Sequence, residues 1–185
     1  MLLLMRHWMI MHKRDYSNAY EIDMNSNYAF IDSQNLNRGI KALGWELDFK
    51  RFYIYLKEKY NVDIAYIFIG YVPGNQELYS SLQKIGYVLI FKPTIPDPKG
   101  NIKGNVDADL VLQVMLDYTN YTKAIIVSSD GDFYSLVRYL YKENKLLCVM
   151  SPYVKTCSSL LKKSAKEKII FMNNLKKKLS TPKKV

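Results

Sequence analysis

Residues 123–140, KAIIVSSDGDFYSLVRYL, limit the possible folds more than any other stretch. Ala124, Ile125, Ile126 and Val127 form an unbroken apolar run, as in a strand buried on both faces of a sheet. Ser128-Ser129-Asp130-Gly131-Asp132 then turns the chain, and from Phe133 the apolar residues recur at 133, 136, 137 and 140, a helical spacing. Two carboxylates, Asp130 and Asp132, therefore stand where a strand passes into a helix. In open α/β sheets that carboxyl edge is where ligands bind. Carboxylates so close repel and are quietest with a divalent cation between them. The local alternative is that Asp132 caps the helix and Asp130 is a solvated turn residue.

The rest of the chain repeats the pattern. Residues 28–31 read as a buried strand ending in Asp32-Ser33-Gln34-Asn35-Leu36, and Gly44 breaks the next segment. Asp48 caps a helix with apolar residues at 49, 52, 56 and 60. Residues 63–71 form a second strand closed by Pro73-Gly74; residues 75–85 form a helix stopped by Gly86; residues 88–91 form a third strand. Residues 93–105, PTIPDPKGNIKGN, are too rich in proline and glycine for regular structure and read as an exposed loop. A helix runs from Val106-Asp107-Ala108-Asp109 to about residue 118. After the central strand and its helix come a strand at 146–150, a helix at 158–165 and an edge strand at 169–172. Strands alternating with helices mean an α/β fold, a mainly parallel central sheet with helices on both faces.

Charge and rare residues narrow the chemistry. The net charge of +10 is concentrated in residues 155–185, which hold ten lysines and one acid, Glu167. A basic end on a near-neutral body points to a polyanion, nucleic acid or an anionic surface, or to a solubilising terminus. Cys148 and Cys157 make no disulfide framework and indicate a reducing, cytoplasmic setting. The two histidines, His7 and His12, precede the first strand, which excludes His-based triads, His general bases and ordinary His/Cys zinc sites. The apolar start, MLLLMRHWMIM, is too short to span a bilayer and lacks a signal-peptide cleavage site. We expect an N-terminal extension at 1–26, with the working protein starting near Met24, one domain at 27–175 and a basic tail at 176–185.

Acids recur at strand ends or helix starts in three places: Asp32, Asp107 (with Asp109) and Asp130 with Asp132. In a parallel sheet these share one edge, and four carboxylates in one cleft need a metal. All-oxygen ligation favours Mg²⁺ or Mn²⁺, which activate water and stabilise the leaving oxygen in phosphodiester hydrolysis. Helix capping competes as the role of Asp107, helix-dipole stabilisation fits Asp109, and Gly131 supplies a turn that bulkier residues resist. Among the tyrosines, Tyr53, Tyr66 and Tyr139 fit packing patterns, whereas Tyr71 and Tyr153 are placed to touch a substrate.

FIDSQNL at residues 30–36, KGNVDADL at 103–110 and SSDGDF at 128–133 resemble the three motifs of the NYN domain, the LabA-like branch of the PIN-like nucleases. SSLLKKSAKEKIIFMNNL resembles the last helix and strand of that family. The resemblance covers residues 28–175 and implies a PIN-like three-layer sandwich, a Mg²⁺- or Mn²⁺-dependent acidic site and single-stranded or structured RNA as substrate. It implies Asp32, Asp107, Asp130 and Asp132 as metal ligands and Asn35 as the residue orienting a ligand, water or phosphate. Ser128 would hydrogen-bond within the site and Lys103 would meet substrate phosphate. Two positions depart from the pattern, Gln113 and Lys166, where relatives carry acids.

A metal-dependent endoribonuclease is thus the leading expectation. A catalytically weak RNA- or protein-binding module on the same fold is the alternative, motivated by Gln113. No membrane partner is expected, and a homodimer is compatible with the sequence. An aspartyl-phosphate phosphatase wants an acid two residues after the nucleophile, where this chain has Gln34. A dinucleotide-binding fold wants a glycine-rich loop after the first strand, and none is present.

Overall fold

A computed structural model of the chain describes residues 26–92 and 106–181, and the backbone alone at 95–96 and 102–103. The expectations for the N-terminal extension, for the side chain of Lys103 and for residues 182–185 lie outside the described residues.

The chain runs β1 (Asn27–Asp32), α1 (Ser33–Ala42), α2 (Phe49–Tyr60), β2 (Val62–Gly70), α3 (Gln76–Ile85) and β3 (Val88–Lys92). It continues through β4 (Ile95–Pro96), β5 (Ile102–Lys103), α4 (Asp107–Leu116), β6 (Lys123–Val127), a 3₁₀ turn (Gly131–Phe133) and α5 (Tyr134–Lys142). It closes with β7 (Leu146–Ser151), α6 (Ser159–Ala165), β8 (Ile169–Phe171), a second 3₁₀ turn (Met172–Leu175) and α7 (Lys176–Leu179). Six strands form a sheet in the order β3-β2-β1-β6-β7-β8, every pair parallel. The expected α/β sandwich is thus the observed one.

Burial explains the order. The two middle strands, β1 and β6, are apolar almost throughout because helices cover both faces. Alternate residues feed two cores. Ala29, Ile31, Ile125 and Val127 pack under α1, α2, α3 and α7, through Leu36, Phe52, Leu82 and Leu179. Phe30, Ala124 and Ile126 pack under α4, α5 and α6, through Leu110, Leu140 and Leu161. Aromatic residues fill the second core: Phe30 stacks on Tyr66 at 5.5 Å, and the buried Tyr121 hydroxyl donates to the carbonyl of Val114 at 3.0 Å. Tyr53 packs edge-on against Tyr87 at 5.0 Å. Tyr139 is 41% exposed and only lies against Tyr118, so packing accounts for it in part.

Three local readings change. Residues 33–42, to which the sequence assigned no element, form a helix with Leu36, Gly39 and Ile40 buried. Its polar opening, SQN, hides the period. Residues 93–105, expected to lack regular structure, carry a minimal antiparallel pairing of β4 with β5. A proline fits there because a two-residue edge strand demands little of its N–H groups. Within the stretch expected as a basic tail, Lys176–Leu179 form a helical turn against the body: Leu179 is 1% exposed, and its carbonyl accepts the N–H of Asp48 at 2.8 Å.

Gly39 sets how closely α1 can approach the loop after β7. A Cβ there would lie 2.5 Å from the Cβ of Pro152, whose ring cannot swing aside. Gly39→Ala is expected to destabilise the fold by about 1–3 kcal/mol, the usual cost of overpacking, as read by denaturant unfolding.

Candidate metal centre

The strand order reverses between β1 and β6: the chain leaves β1 toward β2 and β3, then returns to the other side of β1. The helices that follow these two paired strands lie on opposite faces of the sheet, and the crevice beyond the strands' carboxyl ends is the usual ligand site of such sheets. Asp32 ends β1, residues 128–132 follow β6, and α4 begins with Asp107. Asp107, Asp130 and Asp132 come together there, and Asp32 lies beside them, within reach of the Asp107 and Asp130 charges.

Asp32 is 5% exposed. It caps α1, accepting the N–H of Asn35 at 3.0 Å, and it accepts the Ser128 hydroxyl at 3.2 Å. The Ser128 hydroxyl in turn accepts the N–H of Asp130 at 3.1 Å. Burial raises the Asp32 pKa above the ordinary carboxylate value; the Asn35 N–H opposes that, the Asp107 charge adds to it, the Ser128 hydroxyl opposes it, and Asp130 adds again. A helix cap would be satisfied on the surface. Here the cap carboxylate is driven into a pocket shared with other anions.

Asn35 joins the two strand ends. Its side-chain oxygen accepts the N–H of Ser129 at 2.8 Å, while its own N–H holds Asp32. Ser129 further pairs its hydroxyl with that of Ser151 at 2.8 Å, and its carbonyl accepts the N–H of Ser158. Ser129, Ser151 and Ser158 escaped the sequence reading because a serine after an apolar strand looks like any turn residue. Asn35→Ala is expected to cost about 1–3 kcal/mol, since the N–H of the buried Ser129 loses its acceptor; thermal unfolding measures it.

Asp130, not Asp132, is the cap of the turn after β6, accepting the N–H of Asp132 at 3.0 Å. Nor does Asp107 cap α4: Val106 holds that position and offers no side-chain acceptor. One carboxylate oxygen from each of Asp107, Asp130 and Asp132 lies within 4.8 Å of the other two. Ligands bound to one Mg²⁺ at about 2.1 Å stand about 3.0 Å apart when adjacent and about 4.2 Å when opposite, so the three can share a cation by drawing closer around it. No lysine or arginine among the described residues pairs with Asp32, Asp130 or Asp132. A hard divalent cation fits this donor set.

Other singled-out residues lie nearby or elsewhere. Asp109 pairs with Lys92 at 2.8 Å beside the start of α4. Gly131 does not occupy a left-handed conformation; it is needed for space, because a Cβ would stand 2.6 Å from the Ser158 hydroxyl. Tyr71 is half-exposed just past the end of β2, stacked on Tyr79 at 5.9 Å and meeting Phe91 edge-on. Gln113 lies six residues along α4 from Asp107, about 9 Å of helical rise, and donates to Asp117 at 2.8 Å. Lys166 ends α6 in a left-handed conformation (φ 52°) with its ammonium over the Tyr141 ring. Both cysteines are buried thiols; burial pushes Cys148 up to about 12.

A parallel α/β sandwich with clustered carboxylates at its switch point defines the class, a PIN-like nuclease fold. The model of the NYN domain matches residues 28–173, and the chain belongs to that family. The crystal structure of a protein of unknown function from Vibrio parahaemolyticus is similar in fold, with a TM-score of 0.66 and 23% identity. That likeness covers 81% of this chain and 94% of the other. No curated protein matches the chain. No helix among the described residues is long and apolar enough to cross a membrane.

Proposed function

We propose that the protein is a metal-dependent endoribonuclease acting in the cytoplasm. The observation that carries this reading is the approach of Asp107, Asp130 and Asp132 beside the buried Asp32, four acids from three separate segments. Membership of a nuclease-like family supplies the reaction class. Asp32, Asp107, Asp130 and Asp132 would hold Mg²⁺ or Mn²⁺, with Asp107, Asp130 and Asp132 the mutually closest donors and Asp32 beside them. Bound there, the cation supplies a Lewis acid and an activated water for phosphodiester hydrolysis.

The chain's own residues keep that site in shape. Asn35 holds the β6 turn against α1, and Ser128 orients Asp32 and the backbone of Asp130. Lys103 and Tyr71 contact substrate, and the basic C-terminal segment adds salt-sensitive affinity for the RNA backbone. The engagement of Gln113 with Asp117 leaves the four acids intact, which favours catalysis over a binding-only module.

Incubation of a labelled single-stranded RNA with the full chain tests the proposal. Cleavage in Mg²⁺ or Mn²⁺ that stops in EDTA is the expected result. Cleavage undiminished in EDTA, or none with either metal, contradicts it.

A further inference from the structure

Over the carboxyl end of β2, between α1 and α3, lies a cleft of about 530 Å³, within the range of small-ligand sites. Its rim includes Ser33 and Val106, the residues next in sequence to Asp32 and Asp107. The cleft therefore borders the acidic centre. None of its lining side chains is charged.

The Tyr79 hydroxyl in it is engaged with the backbone of Gly70 and Val72, whereas three side-chain amides are unspent. Gln34 and Asn37, three apart on the first turn of α1, face the cleft together, and neither has a hydrogen-bond partner among the described residues. Asn75 stands at the start of α3 where an asparagine normally caps the helix, yet its side chain makes no capping bond. Each of these amides offers both a donor and an acceptor. The floor and wall are apolar, with Phe68 and Leu78. A phosphate would find no cation here, whereas a flat neutral heterocycle with donors and acceptors on its edge would find both surfaces it needs.

We propose that this cleft binds the nucleobase of the nucleotide adjoining the scissile phosphate, with Gln34, Asn37 and Asn75 reading its edge. The inference rests on the nuclease reading and gives it a substrate class: single-stranded RNA, whose unstacked bases can be splayed into a side cleft. Sequence preference in cleavage then arises from these three amides.

The test uses the full chain in EDTA, with adenosine, guanosine, cytidine and uridine as separate probes and the side-chain amide NMR signals as readout. At least one nucleoside should shift the Asn37 and Asn75 amides saturably. Asn37→Leu or Asn75→Leu, both at exposed positions, should weaken that binding about fivefold, the loss of one hydrogen bond. If no nucleoside moves these amides, or if both leucine variants bind as wild type does, the proposal is overturned. Neither metal nor turnover enters this measurement, so its failure is separable from a failure of RNA cleavage.

Discussion

Asp130→Asn is expected to lower metal-dependent RNA cleavage by a factor of about 10²–10³, the scale of losing one electrostatic stabiliser at a reacting centre. The fold should survive. Asp130 accepts the N–H of Asp132 at 3.0 Å to start the turn after β6, and an asparagine side-chain oxygen can accept it equally well. What the substitution removes is one negative charge from the ligand set, and with it much of the attraction for a divalent ion. Unfolding curves in EDTA should overlay those of wild type while cleavage collapses. Equal cleavage by both proteins would remove Asp130 from the site.

Asp32→Asn should separate stability from activity more sharply. Burial, with help from Asp107 and Asp130, holds the Asp32 pKa above its ordinary 3.8 in the folded protein. A group raised in this way stabilises the fold below its unfolded pKa, and that contribution is lost as pH rises through the folded value. At pH 7 without metal, wild type therefore bears a cost, whether as a buried charge or as a proton taken up on folding, that the amide variant lacks. In EDTA, Asp32→Asn should melt higher than wild type at pH 7, and the gap should close as pH falls toward 3.8. Adding Mn²⁺ should reverse the order, because wild type gains about 2.7 kcal/mol at 100 times Kd and the variant gains less. Cleavage by the variant should be lost. Differential scanning fluorimetry across pH, with and without Mn²⁺, reads all but the last. A wild type more stable than the variant in EDTA at pH 7 would show that Asp32 is not under electrostatic strain.

Strand and helix alternation was legible because β1 and β6 carry unbroken apolar runs and the helix after β6 keeps a 3.6-residue period. Parallel topology put Asp32 and Asp130 on one edge, since each follows a parallel strand, whereas Asp107 joins them only because the 93–105 segment returns the chain to that edge before α4. What remained hidden depends on contacts between distant segments. Helix α1 is secured by Gly39 against Pro152, a closeness that no local pattern reports. The choice between Asp130 and Asp132 as cap turns on one N–H direction, which spacing does not resolve. The cleft beside Asn37 and Asn75 exists only once α1 and α3 are placed side by side. Lysines at 176–178 read as a basic tail because composition says nothing of Leu175 and Leu179, which pack on the core on either side of them.

The central claim is that the acids at the β1–β6 switch point are built around a divalent cation. Titration of the metal-free protein with Mn²⁺, followed by the electron paramagnetic resonance of the free ion, measures this directly. The free-ion signal should be suppressed until the site saturates in wild type, and Asp130→Asn should leave it largely unsuppressed. An undiminished free-ion signal in the presence of wild type would contradict the account.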